Sequence, residues 1–247
     1  MPEINKSRYT VTISWDDVPH LTEAAKEEMR RSTPPHLIGA REHGIPSLGS
    51  GAVYPIPFEE ISVPSFPLPE YWPRVYALDV GWNITAALWL AWDREGDTLF
   101  LYQEHYLGRV IPSTHAEAIK ARGEWIPGLI DPASRGRSQR DGNRLFDEYE
   151  SFGLHLHLAK NTVDSGIYKC WETLSQGRLK VFSTLTNFKN EYRIYRRDED
   201  GKIVKKNDHL MDCMRYLIHG YQDFAIEKPI PRTHRYRHAP GVPGVAY

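Results

Sequence analysis

Three apolar, β-prone segments follow one another between Arg74 and Leu107, separated by very little chain: "RVYALDVG", "TAALWLAWD" and "DTLFLYQEHYL". Connections this short force an antiparallel meander, because a parallel return needs a crossover of a dozen or more residues. The intervening "DREGD" is itself a hairpin turn signal. Asp79 closes the first of these strands, after the apolar Val75, Ala77 and Leu78. An ionised carboxylate at the tip of a strand that wants burial is costly unless it is paired, hydrogen-bonded or bound to a metal. Its partners must come from elsewhere in the chain.

After the meander, strand and helix signals alternate. Thr114–Arg122 reads as a short helix, and "IPGLIDPAS" as a fourth strand broken by Pro132. Gln139–Phe152 is amphipathic, with Leu145, Phe146, Tyr149 and Phe152 on one stripe and Gly153 as its stop. "LHLHLAKN" is a fifth strand, and Val163–Ser175 another helix. "RIYRRDEDGKIVKK" alternates about Asp200-Gly201 and predicts a charged β-hairpin. Last comes the helix "NDHLMDCMRYLIHGYQDF", with Leu210, Met211, Met214, Leu217, Ile218 and Tyr221 as its apolar face. The order predicts an α/β fold: a mixed five-stranded sheet flanked by helices, with a basic hairpin before the last helix.

Upstream, "SRYTVTISWDD" reads as a strand and "LTEAAKEEMRRSTPPHL" as a helix stopped by Pro34 and Pro35. Seven prolines between Ile45 and Pro73, with Tyr54, Phe58 and Phe66 scattered among them, predict a connector that lies over something else and is not itself core. The Pro/Gly-rich, basic "IPRTHRYRHAPGVPGVAY" predicts a flexible tail. The expected division is 1–73 as upstream segment and linker, 74–228 as the main domain, and 229–247 as tail.

Asp131, in "GLIDPAS", repeats the situation of Asp79: an acid at the end of an apolar strand, followed by chain-breaking residues. In open sheets with parallel strands, ligand sites gather at such strand ends. Asp208 and Asp212, four apart at the start of the closing helix, share one of its faces. Three or four converging acids repel one another unless a cation lies between them, and hard oxygen ligands suit Mg²⁺ or Mn²⁺. Two such ions, about 3.5–4 Å apart, can activate water and stabilise the leaving oxygen in phosphodiester cleavage. Each acid also has a plainer reading. A lone Asp at a strand end is a common turn or cap residue, and Asp208, aided by Asn207, can cap the helix. Asp212 can pair with Arg215, and Asp208, Asp212, Arg215 and His219 can form a solvated stripe.

Bulk properties narrow the class. With 31 basic and 32 acidic residues the net charge is −1, so any contact with nucleic acid must come from local patches. The two cysteines, Cys170 and Cys213, form no CxxC, which argues against a disulfide framework or a zinc cluster and for a reduced compartment. No apolar run approaches membrane-spanning length, so no membrane partner is expected. No GxxxxGK[ST] is present, so this chain by itself is no P-loop ATPase.

"ALDVGWNITAALWLAWD", "GLIDPASRGRSQRDG", "LAKNTVDSGI" and "KNDHLMDCMRYLIHG", in that order, resemble the nuclease domain of the large terminase subunit of tailed bacteriophages. "REHGIPSLGSGAVYPIP" resembles the stretch that joins that subunit's ATPase domain to its nuclease. The resemblance runs from about residue 10 to 225. It implies a ribonuclease-H-like fold and a metal-dependent endonuclease that cuts concatemeric viral double-stranded DNA at the start and end of packaging. It also implies Mg²⁺ or Mn²⁺ as cofactor, bound as a pair of ions. Asp79 and Asp131 match the first- and fourth-strand acids, and both Asp208 and Asp212 are kept for the closing helix. The implied partners are the terminase ATPase domain, the portal protein and the small terminase subunit. The implied location is the cytoplasm of the infected bacterial host, transiently at the procapsid portal. Without Walker motifs the chain is expected to be the C-terminal half of a longer protein.

Around the acids, Arg135, Arg137 and Arg140 in "SRGRSQR" suit phosphate oxygens, against the plainer reading of a solvated basic loop. The hairpin adds Arg196, Arg197, Lys202, Lys205 and Lys206, diluted by Asp198, Glu199 and Asp200. Lys160 and Asn161, after the fifth strand, are further candidates for DNA contact. Trp82 and Asn83, just beyond Asp79, and His209 beside Asp208 are expected to line the site, while Trp89 and Trp92 pack. His155 and His157 share one strand face and read as sheet surface rather than a metal pair. Two other functions fit the same pattern: a junction resolvase or recombinase of the same fold, and a non-catalytic module that docks DNA or the portal.

Overall fold

A computed structural model describes residues 14–32, 42, 51–135, 145–198 and 202–229. The strands are β1 (Ser62–Val63), β2 (Arg74–Asp79), β3 (Thr85–Asp93), β4 (Thr98–Leu107), β5 (Gly128–Ile130), β6 (Leu156–Leu158) and β7 (Leu179–Phe182). The helices are α1 (Glu23–Ser32), α2 (Phe58–Ile61), α3 (Pro112–Lys120), α4 (Leu145–Ser151), α5 (Val163–Ser175), α6 (Thr186–Ile194) and α7 (His209–Phe224).

All seven strands form one sheet in the order β1-β7-β4-β3-β2-β5-β6. The meander β2–β3–β4 is antiparallel, and β5, β6, β7 and β1 join it by parallel pairing. β3 lies at the centre, and its unbroken apolar run is buried from Thr85 to Ala91. Such continuity is what a strand covered on both faces needs. On one face Val75, Ala77, Leu88 and Leu101 pack under α5, α6 and α7. On the other Tyr76, Leu78, Trp89 and Ile130 pack under α3 and α4. The period of two along β2 divides its side chains between these layers.

The meander and the α5 boundaries agree with expectation, both later strands are present but only three residues long, and the α/β class holds with seven strands in place of five. The additional strands are β1, from the Pro-rich connector, and β7, each pairing far along the chain. Ser62 faces Val181, and Leu101 faces the same residue from the other side. The connector does more than lie over the sheet. Val53, Tyr54, Phe58 and Ile61 belong to the larger core cluster, and Tyr54 stacks on Tyr192 at 5.9 Å. Seven prolines prevent long elements there but not burial of the side chains between them.

The expected hairpin is smaller than its sequence pattern. Arg193 and Ile194 belong to α6, and the described ladder consists of an Arg197–Ile203 bridge with bonds from Val204 N to Arg196 O (3.0 Å) and Asp198 N to Lys202 O (2.8 Å). The expected first strand lies mostly outside the described residues. Its described end, Trp15–Asp17, is a 3-10 turn, since Asp17 accepts bonds from the Ser14 amide and hydroxyl, both at 2.8 Å. The basic tail from residue 230 also lies outside the described residues. Among those described, no helix is long and apolar enough to cross a membrane.

Candidate functional site

Pairing of Leu78 with Ile130 puts Asp79 and Asp131 one step beyond the last rung of two neighbouring parallel strands. The Asp131 amide donates to Leu78 O at 3.3 Å, keeping that tip beside β2. α7 then lays its first turn across the strand ends. His209 Nδ1 lies 2.7 Å from Asp79 Oδ2, so the opening strand and the closing helix meet through these two side chains. The acid posed by the sequence therefore has a partner from the far end of the chain.

Asp208 occupies the position before α7, but its side chain makes no capping bond; it is 8% exposed and its Oδ2 stands 3.2 Å from Lys205 Nζ. Asp212, in the first turn, is held on both sides. Its Oδ1 accepts from Arg215 Nη2 at 2.8 Å, and its Oδ2 accepts from Lys205 Nζ at 3.3 Å. Asp131 Oδ1 accepts from the Ala133 amide at 3.1 Å and from Asn161 Nδ2 at 3.3 Å. The Asp212–Arg215 pair allowed by the sequence is real, but the stripe is not solvated, because Arg215 is 1% exposed.

Burial raises the Asp79 carboxyl above its ordinary range, opposed by the His209 hydrogen bond and reinforced by the nearby negative charges of Asp212 and Asp131. Conversely, the hydrogen bond to Asp79 raises His209, with burial acting against it. A carboxylate raised by burial, with two further acids nearby, belongs to a cation-seeking set of hard oxygen donors. Among the described residues no three His, Cys, Asp or Glu side chains are placed so that they could hold a metal ion. The acids are turned instead to nitrogen donors from His209, Lys205, Arg215 and Asn161. Four acids with oxygen donors are the hard ligand type that Mg²⁺ or Mn²⁺ takes, so the donor chemistry fits a divalent ion.

The other expected site residues separate. Lys205 and Asn161 join the acid cluster, as above. Lys160 is exposed and reaches Asp223, toward the far end of α7, at 3.5 Å. Lys202 and Lys206 are exposed on the hairpin. Arg137 and Arg140, and the side chain of Arg135, lie outside what is described. Trp82 is 70% exposed and Asn83 is exposed, both on the β2–β3 loop beyond Asp79. That loop is pinned to the end of β4: Arg109 N donates to Trp82 O at 2.9 Å, and a Cβ on Gly108 would stand 1.7 Å from Asn83 O.

Two charged residues escape the sequence pattern. Glu191, on α6, is 3% exposed; it accepts from Tyr106 Oη at 2.9 Å and from the Leu210 amide at 2.6 Å, so it ties α6 and β4 to the start of α7. Arg215 is the other only in its burial, since the sequence offers it as a solvated partner of Asp212. Its signal is an arginine in the stripe of Met211 and Ile218, where only a matched charge can be buried.

A ribonuclease-H-like sheet with carboxylates at two adjacent strand tips and on the helix that closes over them defines the class. The family described as "Terminase RNaseH-like domain" matches residues 77–220, and the chain belongs to it. The large terminase subunit of Salmonella phage P22 is 34% identical over 226 residues, covering 86% of this chain and 44% of that protein. The large terminase subunit of Enterobacteria phage LP7 is also 34% identical, with 46% of its length covered. This chain thus spans about half the length of these relatives. Among solved structures, the P22 large terminase nuclease domain superposes with a TM-score of 0.67 at 31% identity, covering 73% of this chain and 96% of that one. The large terminase of a thermophilic bacteriophage shares the fold, with a TM-score of 0.62 at 21% identity over 85% of this chain and 55% of that one.

Proposed function

We propose that this chain is a divalent-metal-dependent endonuclease that cleaves concatemeric viral double-stranded DNA during genome packaging. The observation that carries the reading is the placement of Asp79 and Asp131 at paired strand tips beside the first turn of α7, which carries Asp212, through the 2.7 Å Asp79–His209 contact. The likeness to the P22 nuclease domain supports it from a separate direction.

Asp79 and Asp131 would hold Mg²⁺ or Mn²⁺ from the sheet, and Asp212 and Asp208 from the helix, for one ion or two. Bound there, the metal would lower the pKa of the attacking water and neutralise charge on the phosphate and the leaving 3′ oxygen. His209 keeps Asp79 aimed at α7, and Asn161 does the same for Asp131. Lys205, with Lys202 and Lys206 on the same hairpin, supplies positive charge for the DNA backbone; Arg135, Arg137 and Arg140 extend it. Contacts of this kind read phosphates rather than bases, so binding weakens steeply with salt.

By the same reading residues 74–228 carry the nuclease, 1–73 form the ATPase-side segment and linker, and 229–247 the tail. The whole assembly would include the ATPase domain, the portal protein and the small subunit, in the cytoplasm of the infected host.

Plasmid nicking in Mn²⁺ tests the proposal. Asp79→Asn and Asp131→Asn should each lower the rate at least about 1,000-fold, since transition-state charge stabilisation of this kind contributes several kcal/mol. Their circular dichroism should match the unaltered protein. Wild-type rates in either variant would overturn the assignment.

A further inference from the structure

Asp212 and Asp131 lie on different elements, yet a continuous hydrogen-bond chain joins them. Arg215 Nη2 donates to Asp212 Oδ1 at 2.8 Å, Arg215 Nη1 donates to Asn161 Oδ1 at 2.8 Å, and Asn161 Nδ2 donates to Asp131 Oδ1 at 3.3 Å. A guanidinium can only donate, so the Asn161 oxygen must face it, which leaves the amide nitrogen for Asp131. The direction of the relay is therefore fixed by the arginine.

The arginine is fixed in turn by the fold. It is 1% exposed, and its stem runs through a notch in α5 at Gly166, where a Cβ would stand 2.5 Å from Cγ and 2.7 Å from Cδ. The guanidinium also lies over the Tyr216 ring, 4.8 Å from its centre. A buried arginine whose planar fork bridges two partners has little freedom, and lysine cannot reproduce that fork.

We propose that Arg215 and Asn161 are positioning residues for the metal site: the relay holds one oxygen each of Asp212 and Asp131, so that helix and strand acids present a set spacing to the cation. This rests on the metal-dependent reading above and assigns Asn161 to the carboxylates rather than to DNA. Partners that orient metal ligands typically matter 10–100-fold in metal affinity or activity.

Mn²⁺ titration calorimetry tests it on the unaltered protein, Arg215→Lys, Asn161→Ala, the double variant and Gly166→Ala, with thermal unfolding of each metal-free protein alongside. Arg215→Lys and Asn161→Ala should each weaken Mn²⁺ binding about 10-fold or more. The double variant should be no weaker than the worse single one, because both break the same relay. Gly166→Ala should shift affinity in the same direction by displacing the arginine stem. The salt dependence of DNA binding should not change. If Arg215→Lys does not fold, Asn161→Ala, at an exposed position, decides alone. Wild-type Mn²⁺ affinity in Asn161→Ala, or losses that multiply in a folded double variant, would overturn the relay while leaving the nuclease reading in place. An unaltered protein that neither binds Mn²⁺ nor nicks DNA would overturn both.

Discussion

The two faces of the sheet are equally buried and chemically opposite. Beneath α3 and α4, aromatic and aliphatic side chains fill the layer, and its buried titratable pair is His105 with His115, their nitrogens 2.9 Å apart. Burial lowers both, His105 to about 4, so the pair is neutral at ordinary pH. Beneath α5, α6 and α7, the same depth of packing holds Arg215, Glu191 and Asp208. Charge survives on that face because it is matched: Arg215 by Asp212, Asp208 by Lys205, and Glu191 by two donors. A folded chain keeps unmatched charge out of one layer and arranges it in the other, and the arranged layer is where the candidate chemistry lies.

The largest expected effect tests the face under α3 and α4. Trp89 is fully buried, stacks on Tyr76 at 5.5 Å, and lies under the Arg122 guanidinium, 5.0 Å from its ring. Trp89→Ala should cost about 3–5 kcal/mol in urea unfolding, through lost packing and a cavity. Asp79→Asn, on the charged face, should remove nicking at far smaller cost in stability. If the ranking reverses, the division between a packing face and a working face fails.

His105 and His209, one on each face, sharpen the contrast because they respond to pH with opposite sign. His219 on α7 is lowered by burial, as His105 is. His105 is depressed in the folded chain, so its unfolded form takes up the proton first. Its stability contribution is present above about 6.5 and is lost as pH falls toward about 4, by roughly 2–3 kcal/mol. His209 is raised by Asp79, so its contribution is present below 6.5 and is lost as pH rises through its folded value. Urea midpoints from pH 4 to 8 should show His105→Gln flattening the acid limb and His209→Gln flattening the limb above neutrality. The same limb flattened by both would refute the opposition.

Glu191 gives a smaller effect and shows how the site is supported. Glu191→Ala leaves the Leu210 amide without its 2.6 Å acceptor at the buried start of α7. Loss of a partner from a buried donor should cost about 1–3 kcal/mol. Nicking should fall as well, since the first turn of α7 carries Asp212; unchanged nicking with that stability loss would confine Glu191 to folding.

The same residue explains what the sequence leaves hidden. The meander, the two acid-tipped strands and the opening of the last helix are legible because each is a local pattern: period two, a tight turn, or an apolar stripe. α6 is not legible, since "TNFKNEYRI" follows Leu185, which makes no side-chain cap. Its N-terminus is satisfied by Glu104 from β4, whose carboxylate accepts from Asn187 N, Asn187 Nδ2 and Phe188 N, each at 2.9 Å. A cap contributed from 83 residues away leaves no local trace. β7 is hidden for a related reason: its four residues, "LKVF", pair in parallel with β4 and β1, and only the assembled sheet identifies them as a strand. In the site, the strand-tip acids could be read from burial logic alone. The Arg215–Asp212 pair could be read as well, but not the arginine's burial or its bond to Asn161, which depend on other elements.

Lys205 carries the smallest effect on stability and the most pointed consequence for the charged face. Its side chain is 59% exposed, and its ammonium is 3.2 Å from Asp208 Oδ2 and 3.3 Å from Asp212 Oδ2. Exposed pairs contribute about 0–1 kcal/mol, so Lys205→Ala should scarcely move the unfolding midpoint. Removing that ammonium leaves two carboxylates with less positive charge between them, and their attraction for another cation must increase. Mn²⁺ titration of Lys205→Ala should therefore give tighter binding than the unaltered protein, about threefold to tenfold at low salt and less as ionic strength screens the exposed pair. Lys205→Arg, which keeps the charge, should stay near the original value. Weaker Mn²⁺ binding in Lys205→Ala would mean that the lysine holds the carboxylates in place for the metal, rather than standing where positive charge is already supplied.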